Sequence, residues 1–317
     1  MDVDEASDVC ERVLDEVAGA VIAEREFFET VMLGVVARGH VLLEDVPGTG
    51  KTLTARTMAD ALGLSFSRVQ FTPDLLPADI TGTHVFDESE RDFEFNEGPI
   101  FANVVLADEI NRAPPKTQSA LLEAMEEGQV TVDGDTYDLP EPFFVIATQN
   151  PVEMEGTFEL PEAQVDRFLA KTSIGYPDED GEFELLQRRA SRDAQSPTVE
   201  TVLSPAEVDD LRALPESITV EDDVLRYVSN VARATRDHRN VDVGVSPRGT
   251  QRLFEAARAR AVLRGRSFVT PDDVKAVAQS VLAHRLVLTP EARVEDVAEA
   301  SIVESVLESV PVPTVAH

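Results

Sequence analysis

A glycine-rich turn at residues 45–53, DVPGTGKTL, separates an apolar run from a segment compatible with a helix. A strand, a glycine loop and a helix in this order are the setting of a phosphate-binding loop, because backbone N–H groups and the helix N-terminus then face phosphate oxygens. A lysine and a hydroxyl residue at the end of such a loop bind the β- and γ-phosphates and Mg²⁺. Asp45 departs from the usual pattern, which begins with glycine. The sequence predicts a nucleotide-binding loop, with Thr52 as a magnesium ligand, formed by Pro47, Gly48, Thr49, Gly50, Lys51, Thr52 and Leu53.

A second apolar run ends in two carboxylates, at VVLADE in residues 104–109. If this run is a buried strand of a parallel sheet, its end lies beside the loop, at the edge where open α/β folds bind ligands. Asp108 is then suited to bind the nucleotide's Mg²⁺, directly or through water, and Glu109 to polarise an attacking water. An Asp-Glu pair after a strand is also common in solvated turns, so this prediction depends on the pairing with the loop.

A third apolar run, FFVIATQN at residues 143–150, ends in a neutral amide. Asn150 could orient the water or contact a terminal phosphate without adding negative charge beside Glu109. A turn-capping asparagine before Pro151 is the structural alternative. Three strands that end in polar groups favour the catalytic interpretation.

The hydrophobic pattern predicts the elements that must position these groups. Apolar runs of strand length alternate with helix-like segments, which predicts an α/β fold with a parallel sheet covered by helices. The runs lie at residues 40–44, 66–71, 103–107 and 143–148. Alternating segments at 83–97 and 129–139 predict two β-hairpins.

Beyond about residue 178 the strand signals stop and the pattern becomes helical. A polar stretch with two prolines at 192–205 predicts a linker. We therefore expect two domains: an α/β nucleotide-binding domain at residues 1–192 and a smaller, all-helical lid domain at residues 193–317.

The composition limits the partners. The 317 residues include 28 Lys and Arg against 60 Asp and Glu, a formal net charge of −32. Such a field repels nucleic-acid phosphate and anionic lipid, so nucleic acid is not an expected partner. The lysine-poor, acidic surface resembles that of proteins from salt-loving organisms. Because Cys10 is the only cysteine and no apolar run approaches the roughly 20 residues of a membrane span, we expect a cytoplasmic protein without membrane insertion.

Four segments together resemble the MoxR family of AAA+ ATPases: QFTPDLLPADITG, ADEINRAPPKTQSALLEAMEEGQVTVDG, FVIATQNPVEMEGTFELPEAQVDRF and VSPRGTQRL. The resemblance covers nearly the whole chain. It implies a P-loop AAA+ module that uses ATP and Mg²⁺, with Lys51 and Thr52 in the Walker A loop. Asp108 and Glu109 would be the Walker B pair, and Asn150 the sensor 1 residue.

The same resemblance assigns roles to two arginines. Arg167 stands at the position where related AAA+ proteins carry the arginine finger, which would reach the γ-phosphate of the nucleotide bound to a neighbouring subunit. The alternative is a structural ion pair with Asp166 or another local acid. Arg248 matches sensor 2, which would contact the nucleotide of its own chain; the alternative is a surface arginine.

By this resemblance the chain forms a homo-oligomer, with a hexameric ring expected, and hydrolyses ATP. MoxR-type ATPases resemble chaperones that mature or activate client proteins, often by metal or cofactor insertion and together with a protein that carries a von Willebrand factor A domain. Two alternatives remain open: a metal-chelatase or nucleic-acid-remodelling subunit, and a nucleotide-dependent scaffold with little turnover.

Overall fold

The computed structural model describes residues 1–89, 91–151, 157–158, 160–192 and 197–313. The strands, numbered along the chain, are β1 (Val41–Glu44), β2 (Phe66–Gln70), β3 (Gly82–Asp87), β4 (Asp92–Glu97), β5 (Val104–Asp108), β6 (Gln129–Val132), β7 (Asp135–Asp138), β8 (Phe144–Gln149), β9 (Ala170–Thr172), β10 (Val241–Val243) and β11 (Val287–Leu288). The helices of the first half are α1 (Val3–Ala20), α2 (Arg25–Val36), α3 (Lys51–Ala61), α4 (Pro77–Thr81), α5 (Pro115–Glu127), α6 (Glu162–Val165) and α7 (Glu179–Ser191). Those of the second half are α8 (Pro205–Ala213), α9 (Asp222–Arg236), α10 (Pro247–Leu263), α11 (Pro271–Leu282), α12 (Pro290–Val294) and α13 (Glu299–Ser309).

Five strands form a parallel sheet in the order β2-β5-β8-β1-β9. The α/β fold with a parallel sheet is therefore confirmed, and the four predicted core strands are present to within a residue or two. The fifth, β9, was not predicted because its three residues, Ala-Lys-Thr, are too short and too polar to give a strand signal.

Alternate residues of the central strands enter different cores, because successive side chains of a strand point to opposite faces. Val104 and Leu106 pack into the core that holds α1, α2, α3 and most of the lid. Val105 and Ala107 pack into a second core with α5 on the other face. Burial on both faces explains why these strands read as continuous apolar runs.

Two antiparallel hairpins, β3 with β4 and β6 with β7, confirm the predicted hairpin segments. They contact each other through aromatic rings: Phe95 stacks on Tyr137 with ring centroids 3.9 Å apart, and His84 lies 3.0 Å from the Tyr137 hydroxyl. At the free end of the first hairpin, Phe86 and Phe93 meet edge to face and remain exposed.

The helical lid is also confirmed, with one correction. It is not all-helical, because β10 and β11 form a short antiparallel pair. These strands of three and two residues are too short to leave an alternating signal in the sequence. The helix starts follow from their caps: Ser204 and Thr270 each open a capping box before a first-turn proline.

The first core continues from the α/β half into the lid, since α1 and α2 both contact α10. The predicted linker lies partly outside the described residues, which resume at residue 197. Its described part is pinned to the end of α3, where Val202 and Leu203 donate backbone hydrogen bonds to the Ala61 carbonyl. The division of the chain at residue 192 stays a prediction.

Within the part of the chain that the structure describes, no helix combines the length and the apolar character needed to cross a membrane.

Candidate active site

A cavity of about 440 Å³ opens where β1, β2, β5 and β8 end and α3 begins. Cavities of this size hold cofactor-sized ligands, and the carboxyl edge of a parallel sheet is where open α/β folds bind them. Its walls include predicted residues from all three motifs: Pro47, Gly48, Gly50, Lys51, Thr52, Leu53, Asp108, Glu109 and Asn150. Thr49, the other residue of the predicted loop, places its hydroxyl 3.4 Å from the Val46 carbonyl.

The loop at the start of α3 has the backbone of a phosphate cradle. Gly48 and Gly50 have φ of 89° and 98°, a region that glycine enters without steric cost, and Gly50 caps α3. A Cβ atom at Gly48 would have no atom within 4 Å, so the space beside the loop is open. The Lys51 ammonium donates to the carbonyls of Asp45 and Val46, at 3.1 and 2.7 Å. A cation, a helix N-terminus and open space together fit a phosphate group.

Asp45, the departure from the usual loop pattern, does not point into the cavity. Its carboxylate is buried, with the whole residue 5% exposed, and accepts hydrogen bonds from the backbone N–H groups of Ile174 and Gly175. These two residues follow β9 at its carboxyl end. Asp45 therefore ties the phosphate loop to the neighbouring strand, which a glycine could not do.

Asp108 is fixed by two partners on adjacent strands. Its Oδ1 accepts a hydrogen bond from the Thr148 hydroxyl at 2.7 Å, and its Oδ2 accepts from Nε and Nη2 of Arg68 at 3.1 and 2.6 Å. Carboxylate and hydroxyl oxygens are ligands that Mg²⁺ prefers, so Asp108 and Thr52 fit that ion by chemistry. In this structure the Asp108 carboxylate neutralises Arg68 instead.

Glu109 is held by a different pair of side chains. Its Oε2 accepts from the Gln70 amide at 2.7 Å and from Arg112 at 2.9 Å. Its backbone has φ of 57°, an uncommon value for a residue with a side chain, and its N–H donates to the Thr148 hydroxyl. Strained backbone of this kind persists where the surroundings fix it and is often found at functional sites.

The sequence reasoning missed four residues that line the cavity: Arg68, Gln70, Thr148 and Gln149. Arg68 and Gln70 bind the two acids from a neighbouring strand. Both belong to β2, whose sheet position next to β5 brings them opposite Leu106 and Asp108. A signal was present, since a cation two residues before the end of a predicted core strand is unusual. The hydrophobic pattern could not show that this strand pairs with the one that carries the acids.

Asn150 lines the same cavity directly after β8 and is buried. The structure thus brings together the loop, the acid pair and the amide at one edge of the sheet, as their positions after strands predicted. Their catalytic roles stay predictions.

The two predicted arginines lie elsewhere. Arg167 and Arg248 both pair with the Glu126 carboxylate near the end of α5, at 3.3 and 2.9 Å, and neither borders the 440 Å³ cavity. A separate cavity of about 290 Å³ has Arg167 and Glu126 in its wall. The structure does not bring Arg248 to the nucleotide cavity of its own chain. It places Arg248 beside Arg167, because α10 begins at the face formed by the end of α5.

The alternative for Arg167 was a structural ion pair with Asp166 or another local acid. The pair with Asp166 is not formed, but Arg167 does pair with an acid, Glu126. Asp166 instead binds Arg285 of the lid at 2.7 Å, while Arg167 turns to Glu126. Neighbouring residues on this segment therefore hold different partners.

Comparison with known proteins agrees with this arrangement. Residues 40–170 match the family described as ATPase family associated with various cellular activities (AAA), and residues 233–306 match the AAA lid domain. YeaC of Bacillus subtilis (strain 168) is 45% identical over 95% of this chain and 94% of its own length. Chaperone MoxR1 of Mycobacterium tuberculosis is 41% identical over 96% of this chain and 82% of its own, and protein MoxR of Paracoccus denitrificans is 34% identical over 93% and 94%. The crystal structure of a candidate ATPase from Cytophaga hutchinsonii superposes with a TM-score of 0.91 at 39% identity, covering 98% of this chain and 96% of that one.

Proposed function

Because the chain belongs to the MoxR family of AAA ATPases, we propose that it is an ATP-hydrolysing, chaperone-like remodeller that matures or activates partner proteins. The observation that carries the proposal is the convergence of a glycine cradle, a lysine, an acid pair and a buried amide on one cavity at the sheet edge. The name chaperone is that of the mycobacterial relative and supports the remodelling part of the proposal.

Each residue of the cavity has a separate role in the transfer of the terminal phosphoryl group to water. The loop N–H groups and Lys51 bind the phosphates once the ammonium leaves the loop carbonyls that it now contacts. Thr52 and Asp108 would hold Mg²⁺, which when bound neutralises charge on the phosphates. Glu109 orients and polarises the attacking water, and Asn150 supports that water or the terminal phosphate without adding charge.

The acid pair is held by side chains that also determine how it binds an ion and water. Asp108 must exchange Arg68 for the ion, and Glu109 must exchange Gln70 or Arg112 for water. Both exchanges involve partners from the edge strand β2 or the turn after β5, where little of the core has to move. The site therefore has the groups for hydrolysis, and each acid exchanges one side-chain partner in the reaction proposed here.

Arg167 and Arg248 act on a neighbouring subunit in this proposal. Both lie on one face beside Glu126 and away from the cavity of their own chain, so a second copy is needed to bring them to a nucleotide. Such a head-to-tail contact generates a ring where the rotation between subunits closes, and a hexamer is the family expectation. A second subunit would then supply two guanidinium groups, which stabilise charge in the transition state.

The exposed tip of the first hairpin is the candidate for contact with a client. Phe86 and Phe93 keep 50% and 65% of their surface exposed in a chain whose surface is otherwise strongly acidic. Large exposed aromatic side chains are typical of interaction sites. We expect the double variant Phe86→Ser, Phe93→Ser to keep basal hydrolysis and to lose protection of a heat-unfolded test protein from aggregation, measured by light scattering.

The central experiment measures ATP hydrolysis with Mg²⁺ across a protein dilution series, in concentrated KCl because of the acidic surface. We expect specific activity to rise with protein concentration and to fall by about 10³-fold or more in Arg167→Ala. Arg226→Ala, which removes an exposed arginine on α9, is the matched control and should retain activity. Activity that is independent of concentration and survives Arg167→Ala would refute the shared site.

Two variants distinguish a nucleotide-dependent scaffold from an ATPase that turns over. Glu109→Gln should bind ATP and assemble without turnover, whereas Lys51→Ala should fail to bind. If wild-type protein assembles with ATP but never turns over, while Glu109→Gln behaves identically, the scaffold is the better description.

A further inference from the structure

Arg285 of the lid is a buried cation whose guanidinium donates hydrogen bonds from all three of its nitrogen atoms. It lies at the end of a 3-10 turn after α11, and its side chain is 1% exposed. Burial lowers the pKa of this guanidinium to about 10, which still leaves it charged at neutral pH. A buried cation needs partners for all of its N–H groups.

Those partners come mainly from the segment that carries Arg167. Arg285 Nε donates to the Asp166 carboxylate at 2.7 Å, and Nη2 donates to the carbonyls of Asp166 and Phe168 at 3.1 and 2.6 Å. Nη1 donates to the Leu169 carbonyl at 3.2 Å and to the carbonyl of Val281. The acceptors on residues 166, 168 and 169 surround Arg167 on both sides in the chain.

The same carboxylate also lies beside the start of α10. The second oxygen of Asp166 is 3.5 Å from the Ser246 hydroxyl, a weak contact, and Ser246 caps the helix on which Arg248 stands. The planar, rigid fork of an arginine fixes several acceptors at once, which a flexible ammonium cannot do. The lid therefore holds the backbone of the segment rather than only touching its surface.

We propose that Arg285 is a positioning residue for Arg167, fixing the backbone around it so that its guanidinium reaches the nucleotide of the neighbouring subunit. The inference rests on the proposed function, since it requires that Arg167 acts on a second copy of the chain. Its consequence is that the lid of one subunit sets the activity of the next subunit. Loss of Arg285 should therefore impair a subunit as a donor of Arg167 and spare it as an acceptor.

Mixed oligomers separate these two roles. The acceptor is Arg167→Ala, which keeps its own cavity but contributes no finger; the donor is Lys51→Ala, which cannot hydrolyse ATP but keeps Arg167. Neither should turn over alone, and their mixture should recover activity. The test compares the donor Lys51→Ala with the donor Lys51→Ala, Arg285→Lys.

We expect the Arg285→Lys donor to restore at least tenfold less activity, because a misplacement of about 1 Å at a catalytic group can cost about 10²-fold. The reverse mixture uses Arg167→Ala, Arg285→Lys as the acceptor with the Lys51→Ala donor. Its hydrolysis rate should lie within about twofold of the rate with the Arg167→Ala acceptor, because Arg285→Lys leaves the acceptor's own nucleotide site unchanged.

A second lid arginine provides the matched control. Arg258 is also mostly buried, but its partner Glu216, at 3.1 Å, belongs to the lid itself. A Lys51→Ala, Arg258→Lys donor should rescue as well as the Lys51→Ala donor. Size-exclusion chromatography with light scattering checks that each donor enters the mixed oligomer.

Each other outcome overturns the proposal. Equal rescue by donors with and without Arg285→Lys means that the segment is held without Arg285. An equal loss in both roles means that Arg285 maintains the fold and has no specific role for the finger. The same holds if the donor with Arg285→Lys does not co-assemble although the Lys51→Ala donor does. If the Lys51→Ala donor with Arg285 intact restores no activity, the shared site is refuted, and this inference with it. That outcome is distinct from the others because residue 285 is unchanged in it.

Discussion

Replacing Asp45 by glycine, the residue that phosphate loops usually have at this position, should destabilise the protein. The Asp45 carboxylate is buried and accepts from two backbone N–H groups, those of Ile174 and Gly175. A hydrogen bond to a charged group contributes about 1.5–3 kcal/mol, and the longer contact to Gly175, at 3.3 Å, contributes less than the other. Asp45→Ala should therefore lower the free energy of unfolding by about 2–4 kcal/mol. Asp45→Gly should lower it by about 0.5–1 kcal/mol more, because of the added freedom of the unfolded chain.

Equilibrium urea unfolding of three variants tests the reasoning. Asp45→Asn keeps one carbonyl oxygen to accept from Ile174 and should lose only about 1 kcal/mol, the ordinary value of a neutral hydrogen bond. ATP affinity should change much less than stability, because the carboxylate faces β9 and the Lys51 ammonium contacts only backbone oxygens of the loop. If Asp45→Gly is as stable as the parent protein, or if Asp45→Asn is as unstable as Asp45→Ala, the carboxylate does not stabilise this junction as argued.

Three further predictions concern the contacts around the site. Glu126→Gln should release the two arginines that share this carboxylate, Arg167 and Arg248. It should lower the protein concentration for half-maximal specific activity by about two- to thirtyfold, since two partly exposed ion pairs contribute about 0.2–1 kcal/mol each; an unchanged dilution curve would contradict this. Arg68→Ala should lower the Mg²⁺ concentration for half-maximal hydrolysis by about two- to fivefold, because Arg68 competes for Asp108 through one partly exposed ion pair; a weaker Mg²⁺ response would show that Arg68 assists the ion. Burial lowers the pKa of His40 to about 4 in the folded protein. Between about pH 4 and 6.5 the unfolded chain therefore binds more protons than the folded protein. The free energy of unfolding should fall by up to about 3 kcal/mol as the pH drops through that window. His40→Gln should make this pH dependence shallower without abolishing it, because burial also lowers the pKa of His284; an unchanged slope would contradict the neutral buried imidazole.

The cavity was predictable from the sequence because each of its motifs follows a strongly apolar strand. Buried parallel strands must read as apolar runs, and the carboxyl ends of such strands meet at one edge, so local patterns were enough to bring Lys51, Asp108, Glu109 and Asn150 together. The hairpins were predictable for a similar reason, since alternation and turn residues are local signals.

The positions of Arg167, Arg248 and Arg285 were not predictable from local patterns. Arg285 and Asp166 are 119 positions apart in the chain, and nothing near either residue indicates the other. The placement of Arg248 beside Glu126 depends on how the lid joins the α/β half, through the contacts of α10 with α1 and α2 in the shared core. Arg68 and Gln70 were missed because their position follows from sheet order, which the spacing of runs does not determine.

The two ends of β9 are held by different charged side chains, which suggests how a subunit separates its own site from that of its neighbour. At the carboxyl end, Asp45 of the phosphate loop binds the N–H groups that follow the strand. At the amino end, Arg285 of the lid binds the carbonyls that precede it. Between them, β9 is paired with β1, so the segment that carries Arg167 contacts the lid directly. The phosphate loop is linked to the lid less directly, through this strand and through the core that α1 and α3 share with the lid. In the proposed ring, the lid of one subunit therefore makes its most direct contact with the segment that serves the nucleotide of the next subunit.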